Sequence, residues 1–265
     1  MKSFFIAMGF FTRLPVPKVE YTEKRFAGAI RLAPLAGLVI GALLVLAALV
    51  CVFLKVPDLI RAAILLFFYI VITGGLHFDG LADTCDGYFS GRSREQSLEI
   101  MKDSRIGTFG VLALFMAGLF YFVLFVYAPL PALLLFPLIG RANFLISAKW
   151  APYVREQGMG KAVGNAVDEW WGFILPWFMA IGVSFLALPF ARLVSNFVVL
   201  DYLPVLYPVA SLLAAAISVV VTGGITLSFK EKFGGATGDT YGAVIEVSSI
   251  IYILAFTVLC PLLTP

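Results

Sequence analysis

Seven long apolar stretches separated by short polar connections organise this chain, covering approximately residues 33–54, 59–78, 107–128, 131–150, 170–191, 203–228 and 243–262. Each is close to the ~20 residues that a helix needs to cross a bilayer. Within lipid a helix satisfies its own backbone polar groups. The pattern therefore predicts an all-α fold, a polytopic membrane helix bundle of about seven transmembrane helices. The fourth stretch carries Arg141 and is bounded by Pro129 and Pro131. The sixth contains Pro204, Pro208 and Gly223-Gly224, so a kink or break is expected there. Ahead of the first stretch, Phe4, Phe5, Met8 and Phe11 form an apolar stripe. Residues 1–32 read as an N-terminal interfacial, amphipathic segment, with a plain extension of the first span as the alternative. The apolar run Ser3–Phe11 is short, and Arg13-Leu14-Pro15-Val16-Pro17 follows it in place of a small-residue cleavage site. No cleaved signal peptide is expected. Connections of at most about thirty residues leave room for one domain, residues 1–265.

Charge orients this bundle. Hydrophobic residues make up 61% and charged residues 13%. With Arg141 left out and Lys149, at the end of the fourth stretch, counted with the loop that follows it, fifteen Lys and Arg fall in the N-terminal segment and the even-numbered loops, whereas only Lys55, Arg61 and Arg192 fall on the other side. The positive-inside rule places the N-terminus and the even loops in the cytoplasm. Of the sixteen acidic residues, only Asp58 and Asp201 lie in the outward connections. Polar groups gathered at one face suit an enzyme fed from the cytosol better than a transport path through the membrane. The net charge of +3 is explained by this topology and makes no case for nucleic acid. Cys51, Cys85 and Cys260 have no metal-type spacing, and no disulfide is expected.

The chemistry concentrates in Leu76-His77-Phe78-Asp79-Gly80-Leu81-Ala82-Asp83-Thr84-Cys85-Asp86-Gly87. On a helix Asp79, Asp83 and Asp86 fall at roughly 0°, 40° and −20°, one narrow face. Carboxylates so close repel one another unless a cation sits among them. An oxygen-rich, sulfur-free set suits Mg²⁺, which completes its shell with water and substrate phosphate. The spacing points to metal-assisted handling of a diphosphate. Farther along the second loop, Ser93 or Ser90 could cap a short helix through about Asp103, folding Asp103 back as a fourth carboxylate. Arg92, Arg94, Lys102 and Arg105 could meet phosphate oxygens, or be ordinary positive-inside charge; Arg105, beside Asp103, is the stronger phosphate candidate.

Other candidates carry two readings each. In the sixth loop, Gly234-Gly235-Ala236-Thr237-Gly238-Asp239-Thr240 leads straight into a helix. It is either a phosphate cradle at a helix N-terminus or a tight connection. Asp239 caps that helix or ligates metal, with Glu246 seven residues on along the same face. His77 would point about 160° away from Asp79 on a continuous helix, and joins the site only if Gly74-Gly75 or Gly80 breaks it. Otherwise it is an interfacial, hydrogen-bonded histidine. Arg141, within a span, either meets substrate phosphate or is a snorkelling or structurally paired arginine.

These motifs resemble the cobalamin synthase family, the adenosylcobinamide-GDP ribazoletransferases. The resemblance runs through Gly74–Gly87, Met101–Thr108, Gly234–Ala243 and the opening Phe11-Thr12-Arg13-Leu14-Pro15-Val16-Pro17. It implies an enzyme of the cytoplasmic (inner) membrane whose site faces the cytoplasm. Its substrates would be adenosylcobinamide-GDP and α-ribazole or its 5′-phosphate, its products adenosylcobalamin or its phosphate and GMP, and its cofactor Mg²⁺. Asp79, Asp83 and Asp86 would hold metal, with Asp103 a further ligand or the general base. Arg105 and the loop containing Gly234, Gly235, Thr237, Gly238 and Asp239 would hold phosphates. His77 and Arg141 join the substrate-binding candidates. Membrane lipid surrounds such a chain, and a second copy or other enzymes of nucleotide-loop assembly are candidate partners. A CDP-alcohol phosphotransferase would continue Asp-Gly-x-x-Ala-Arg, where this chain has Asp83 and Thr84. A prenyltransferase would pair two full acidic motifs, and a transporter would carry acidic groups on the opposite side as well.

Overall fold

The computed structural model describes residues 1–155, 160–167, 182 and 207–262. The expected span 170–191, apart from residue 182, and residues 203–206 of the sixth stretch lie outside the described residues. Eleven helices are described: α1 (Lys2–Phe11), α2 (Glu23–Arg31), α3 (Ala33–Phe53), α4 (Asp58–Thr73), α5 (Leu76–Phe89), α6 (Arg94–Ile100), α7 (Thr108–Tyr127), α8 (Leu130–Trp150), α9 (Gly160–Ala166), α10 (Tyr207–Phe233) and α11 (Gly238–Leu262). Of these, α3, α7, α8, α10 and α11 are long and apolar enough to cross a membrane. The protein is thus a polytopic helical bundle, with five such helices among the described residues, or six if α4 and α5 form one broken span.

The expected span 59–78 is corrected. Its helix ends at Thr73, and α5 leaves it at 89°. The cause is Gly74-Gly75, both left-handed (φ 65° and 67°). Gly74 N–H donates to the Val71 carbonyl and Gly75 N–H to that of Ile70, an end that L side chains resist. Arg13 secures this corner. Its backbone N–H donates to the Ile72 carbonyl at 2.6 Å, and its side chain lies over Gly74.

Residues 1–32 contain two short helices, α1 and α2. Thr22 caps α2 by accepting from the Arg25 N–H. On α1, Met8 and Phe11 are buried, so part of the Phe4–Phe11 stripe faces protein. Helix α8 is the axis of the bundle, with nearly every residue from Pro131 to Ala148 buried against α3, α10 and α11. Gly37 and Gly41 of α3 rest directly on its backbone. In contrast α7 exposes Val111, Leu112, Phe115, Leu119 and Val123. Such an apolar outer face suits lipid. Helix α11 packs on α5, α8 and α10, and its crossing with α5 positions the polar residues.

Candidate active site

The crossing of α5 and α11 is close because Gly80 lies against the backbone of Asp239, and Gly242 against that of His77. A side chain at Gly80 would hold these helices apart. Their first turns open onto a cavity of about 280 Å³, bordered by His77, Asp79, Asp239, Arg155, Tyr241 and a wall of Phe10, Phe11 and Phe144. Two helix N-termini meet there, and both favour anions. Arg155, in the segment following α8, donates to the Asp239 carboxylate at 2.6 Å, both side chains about three-quarters buried. Asp83 lies one turn beyond Asp79, within electrostatic reach of Asp79, Asp239, Asp86 and Arg155. Asp79, Asp83 and Asp239 are therefore brought together from two helices, with Arg155 the charge that offsets them.

Asp86 has a different setting. Its carboxylate accepts from the N–H groups of Gly107 (2.7 Å) and Gly110 (2.8 Å), tying α5 to the N-terminus of α7. The α7 dipole adds to this charge-assisted capping. Asp103 meets Arg105: Arg105 Nη2 donates to Asp103 Oδ2 at 2.7 Å and its Nε to Oδ1 at 3.0 Å. That hydrogen-bonded guanidinium holds the Asp103 carboxyl down at about 2. At neutral pH such a group is a weak proton acceptor, ill-suited to a general base. Ser93 caps α6 with a reciprocal Gln96 bond, and the helix ends at Ile100, three residues short of the expected limit.

The glycine-rich turn closes on the protein itself. Ala236 N–H donates to the Pro152 carbonyl and Val154 N–H to that of Ala236, so Gly235 sits against the backbone at Pro152. Arg94 covers Gly234 with its guanidinium. Thr237 and Thr240 cap α11 reciprocally, each hydroxyl accepting the other's backbone N–H. Gly238 is exposed, with open space around its Cα, and borders the cavity.

His77 reaches the cavity because the chain breaks at Gly74-Gly75, exposing the first turn of α5. Its Nδ1 stands 3.8 Å from Glu246 Oε1. Glu246 is fully buried and accepts from Tyr121 Oη at 2.6 Å and Tyr69 Oη at 3.2 Å. Arg141, also fully buried, donates to the Pro137 carbonyl, lies 5.7 Å from the Phe11 ring centre, and acts electrostatically on His77 and Glu246. It sits beneath the cavity wall, in a polar cluster linking α4, α5, α7, α8 and α11. Arg155, Tyr241 and the aromatic wall escaped sequence reasoning, because pairing across 84 residues leaves no local spacing signal. Glu246 and Tyr121 had one, as polar groups inside apolar helices.

The chain matches the family model described as cobalamin-5-phosphate synthase over residues 3–257. An adenosylcobinamide-GDP ribazoletransferase of Alkaliphilus oremlandii is 37% identical over 256 residues, 96% of each chain. Proteins of the same description from Fusobacterium nucleatum and Klebsiella pneumoniae are 34% and 35% identical, covering 98% and 96% of this chain and 98% and 99% of their own. No solved structure matches.

Proposed function

The chain belongs to the cobalamin-5-phosphate synthase family, and from that membership we propose that the α5–α11 cavity joins α-ribazole, or its 5′-phosphate, to adenosylcobinamide-GDP. The enzyme is a transferase of the late part of cobalamin biosynthesis. In this reaction a free ribose hydroxyl of the nucleoside bonds through its oxygen to the cobinamide-side phosphorus, the bond from that phosphorus to the GMP oxygen breaks, and GMP departs. That hydroxyl is not the 5′ one, which carries the phosphate in the 5′-phosphate substrate and in its product. The observation that carries the placement is the convergence of Asp79 and Asp239, from two helix N-termini, on one cavity beside Arg155.

Each residue then has a physical task. The N-terminal turns of α5 and α11, with Arg155, hold the diphosphate. Asp79, on the cavity wall, is in place to accept the hydroxyl proton. Among the described residues no group of three His, Cys, Asp or Glu side chains forms a ready metal cage. Mg²⁺ needs none, since it usually keeps several waters and binds through one or two carboxylates plus substrate phosphate. Asp79 and Asp239, which line the cavity, are the pair that fits it, with Asp83 one turn behind Asp79. When bound, the ion neutralises charge on the diphosphate and the departing GMP.

The charge asymmetry along the sequence supports a site on the cytoplasmic face of the inner membrane. The test is to incubate membranes containing the protein with adenosylcobinamide-GDP, α-ribazole and Mg²⁺, and to separate the products chromatographically. A complete corrinoid and stoichiometric GMP are expected, lost with chelator and restored by Mg²⁺. Turnover that persists in chelator would remove the metal from the proposal, and no turnover under any divalent ion would remove the reaction.

A further inference from the structure

We propose that the aromatic, buried end of the α5–α11 cavity binds the heterocyclic base of the incoming nucleoside, and that Tyr241 supplies its one hydrogen bond; this rests on the transfer reaction assigned above. The cavity is polarised. Asp239, Arg155 and Gly238 stand at its accessible end, whereas Phe11, Phe144, Val163 and Tyr241 are at most 5% exposed. Phe144 meets Tyr241 edge-on at 5.5 Å and Phe11 at 6.1 Å, so the buried end is walled by rings. Flat apolar heterocycles suit such a wall.

Size and polarity then choose among the substrate parts. Ligand pockets usually run from about 300 to 1,000 Å³. At about 280 Å³ this one takes a fragment, and a corrin macrocycle must remain outside. Guanine presents several donors and acceptors, each costly to bury unpaired. A dimethylbenzimidazole presents apolar edges and a single ring-nitrogen acceptor. The Tyr241 hydroxyl is buried and has no hydrogen-bond partner. It is a donor lacking an acceptor, and the free ring nitrogen is an acceptor needing one donor. Of the other polar rings in the wall, Tyr153 is only partly buried and His77 has Nδ1 near Glu246, on the side of the buried network. With the base seated inward, the ribose lies toward Asp79 and Asp239, where its attacking ring hydroxyl meets the diphosphate.

The test uses the full-length enzyme in nanodiscs, with both substrates varied in steady state and α-ribazole binding measured alone by calorimetry. Tyr241→Phe should raise the KM for α-ribazole and its Kd about tenfold, the scale of one lost hydrogen bond in a closed site. The KM for adenosylcobinamide-GDP and the kcat should stay within about twofold. An α-ribazole analogue with CH in place of the free ring nitrogen should bind wild type and Tyr241→Phe equally. Val163→Phe, which fills the cavity, should weaken α-ribazole selectively, with thermal stability measured beside it. A shift in the adenosylcobinamide-GDP constant instead, unchanged constants in Tyr241→Phe, or a difference between the two enzymes toward the analogue would overturn the proposal. Wild-type enzyme that turns over no α-ribazole would overturn the reaction itself, a separate outcome.

Discussion

Asp79, Asp83 and Asp86 share one helix face, yet the residues opposite give them different tasks. Asp79 borders the cavity and Asp83 feels the charges of Asp79 and Asp239, whereas both oxygens of Asp86 accept backbone N–H groups at the start of α7. Asp79→Asn, Asp83→Asn and Asp239→Asn should each lower turnover by at least about 10²-fold, the scale of lost transition-state charge stabilisation. Their melting temperatures should change little. Asp86→Asn should behave in the opposite sense. The amide replaces one acceptor by a donor facing a backbone N–H, which costs about 1–3 kcal/mol. It should therefore appear first in thermal unfolding, and an Asp86→Asn protein of wild-type stability and lost turnover would return Asp86 to the metal set. Asp103 supplies the pH test. Its folded pKa is depressed to about 2 by Arg105, so its pair persists above the ordinary carboxylate range and is lost only as pH falls through that low value. Asp103→Asn should leave the shape of the pH–rate profile unchanged between about pH 5 and 9. Disappearance of an acidic limb in that variant would make Asp103 the general base after all.

At the scale of elements, function depends on how closely α5 and α11 approach. Gly80 faces the backbone of Asp239, so even a methyl group must push the helices apart and move Asp239 relative to Asp79. Displacements near 1 Å cost roughly 10²-fold in catalysis. Gly80→Ala is therefore expected to lower kcat by about tenfold or more. The polar cluster of Glu246, Tyr69 and Tyr121 should keep the bundle folded meanwhile. Kinetics and thermal unfolding on one preparation check this, and full activity in Gly80→Ala would show that the approach can relax without cost. The 89° corner before α5 matters for the same reason. It frees the first turn of α5 to border the cavity, which a straight span would bury in the helix ladder.

For the whole molecule, the cavity is proposed to face the cytoplasmic side of the membrane. Single cysteines at Ser93 and Glu231, in a chain lacking the other cysteines, should be blocked by an impermeant thiol reagent only after cells are opened. A cysteine at Lys55 should react from outside, since all three positions are exposed. Labelling of the Ser93 variant in intact cells would reverse the orientation and move the site to the other side. The membrane also bears on substrate access. On the proposed reaction the corrinoid exceeds the cavity and is expected to approach from the polar end, where Asp239 and Arg155 are partly exposed.

Apolar runs of about 20 residues have few ways to satisfy their backbone in lipid, so the sequence alone determined an all-α membrane bundle. The pairing of Asp79 with Asp83 was equally legible, because helical periodicity is a local property. The motif resemblance led to the same family that the comparisons show. Tertiary structure alone decided which carboxylates lie near one another. Asp239 reaches Asp79 only because α5 and α11 cross at glycine, and Asp86 is drawn away by an α7 N-terminus 21 residues farther on. It also decided that Gly235 serves close backbone packing, that Arg141 lies under the cavity wall, and that Arg155 faces Asp239. The physical reason is common to all of these. Periodicity fixes which face of one helix a residue occupies, whereas its partner is set by crossing angle and packing between segments far apart in the chain.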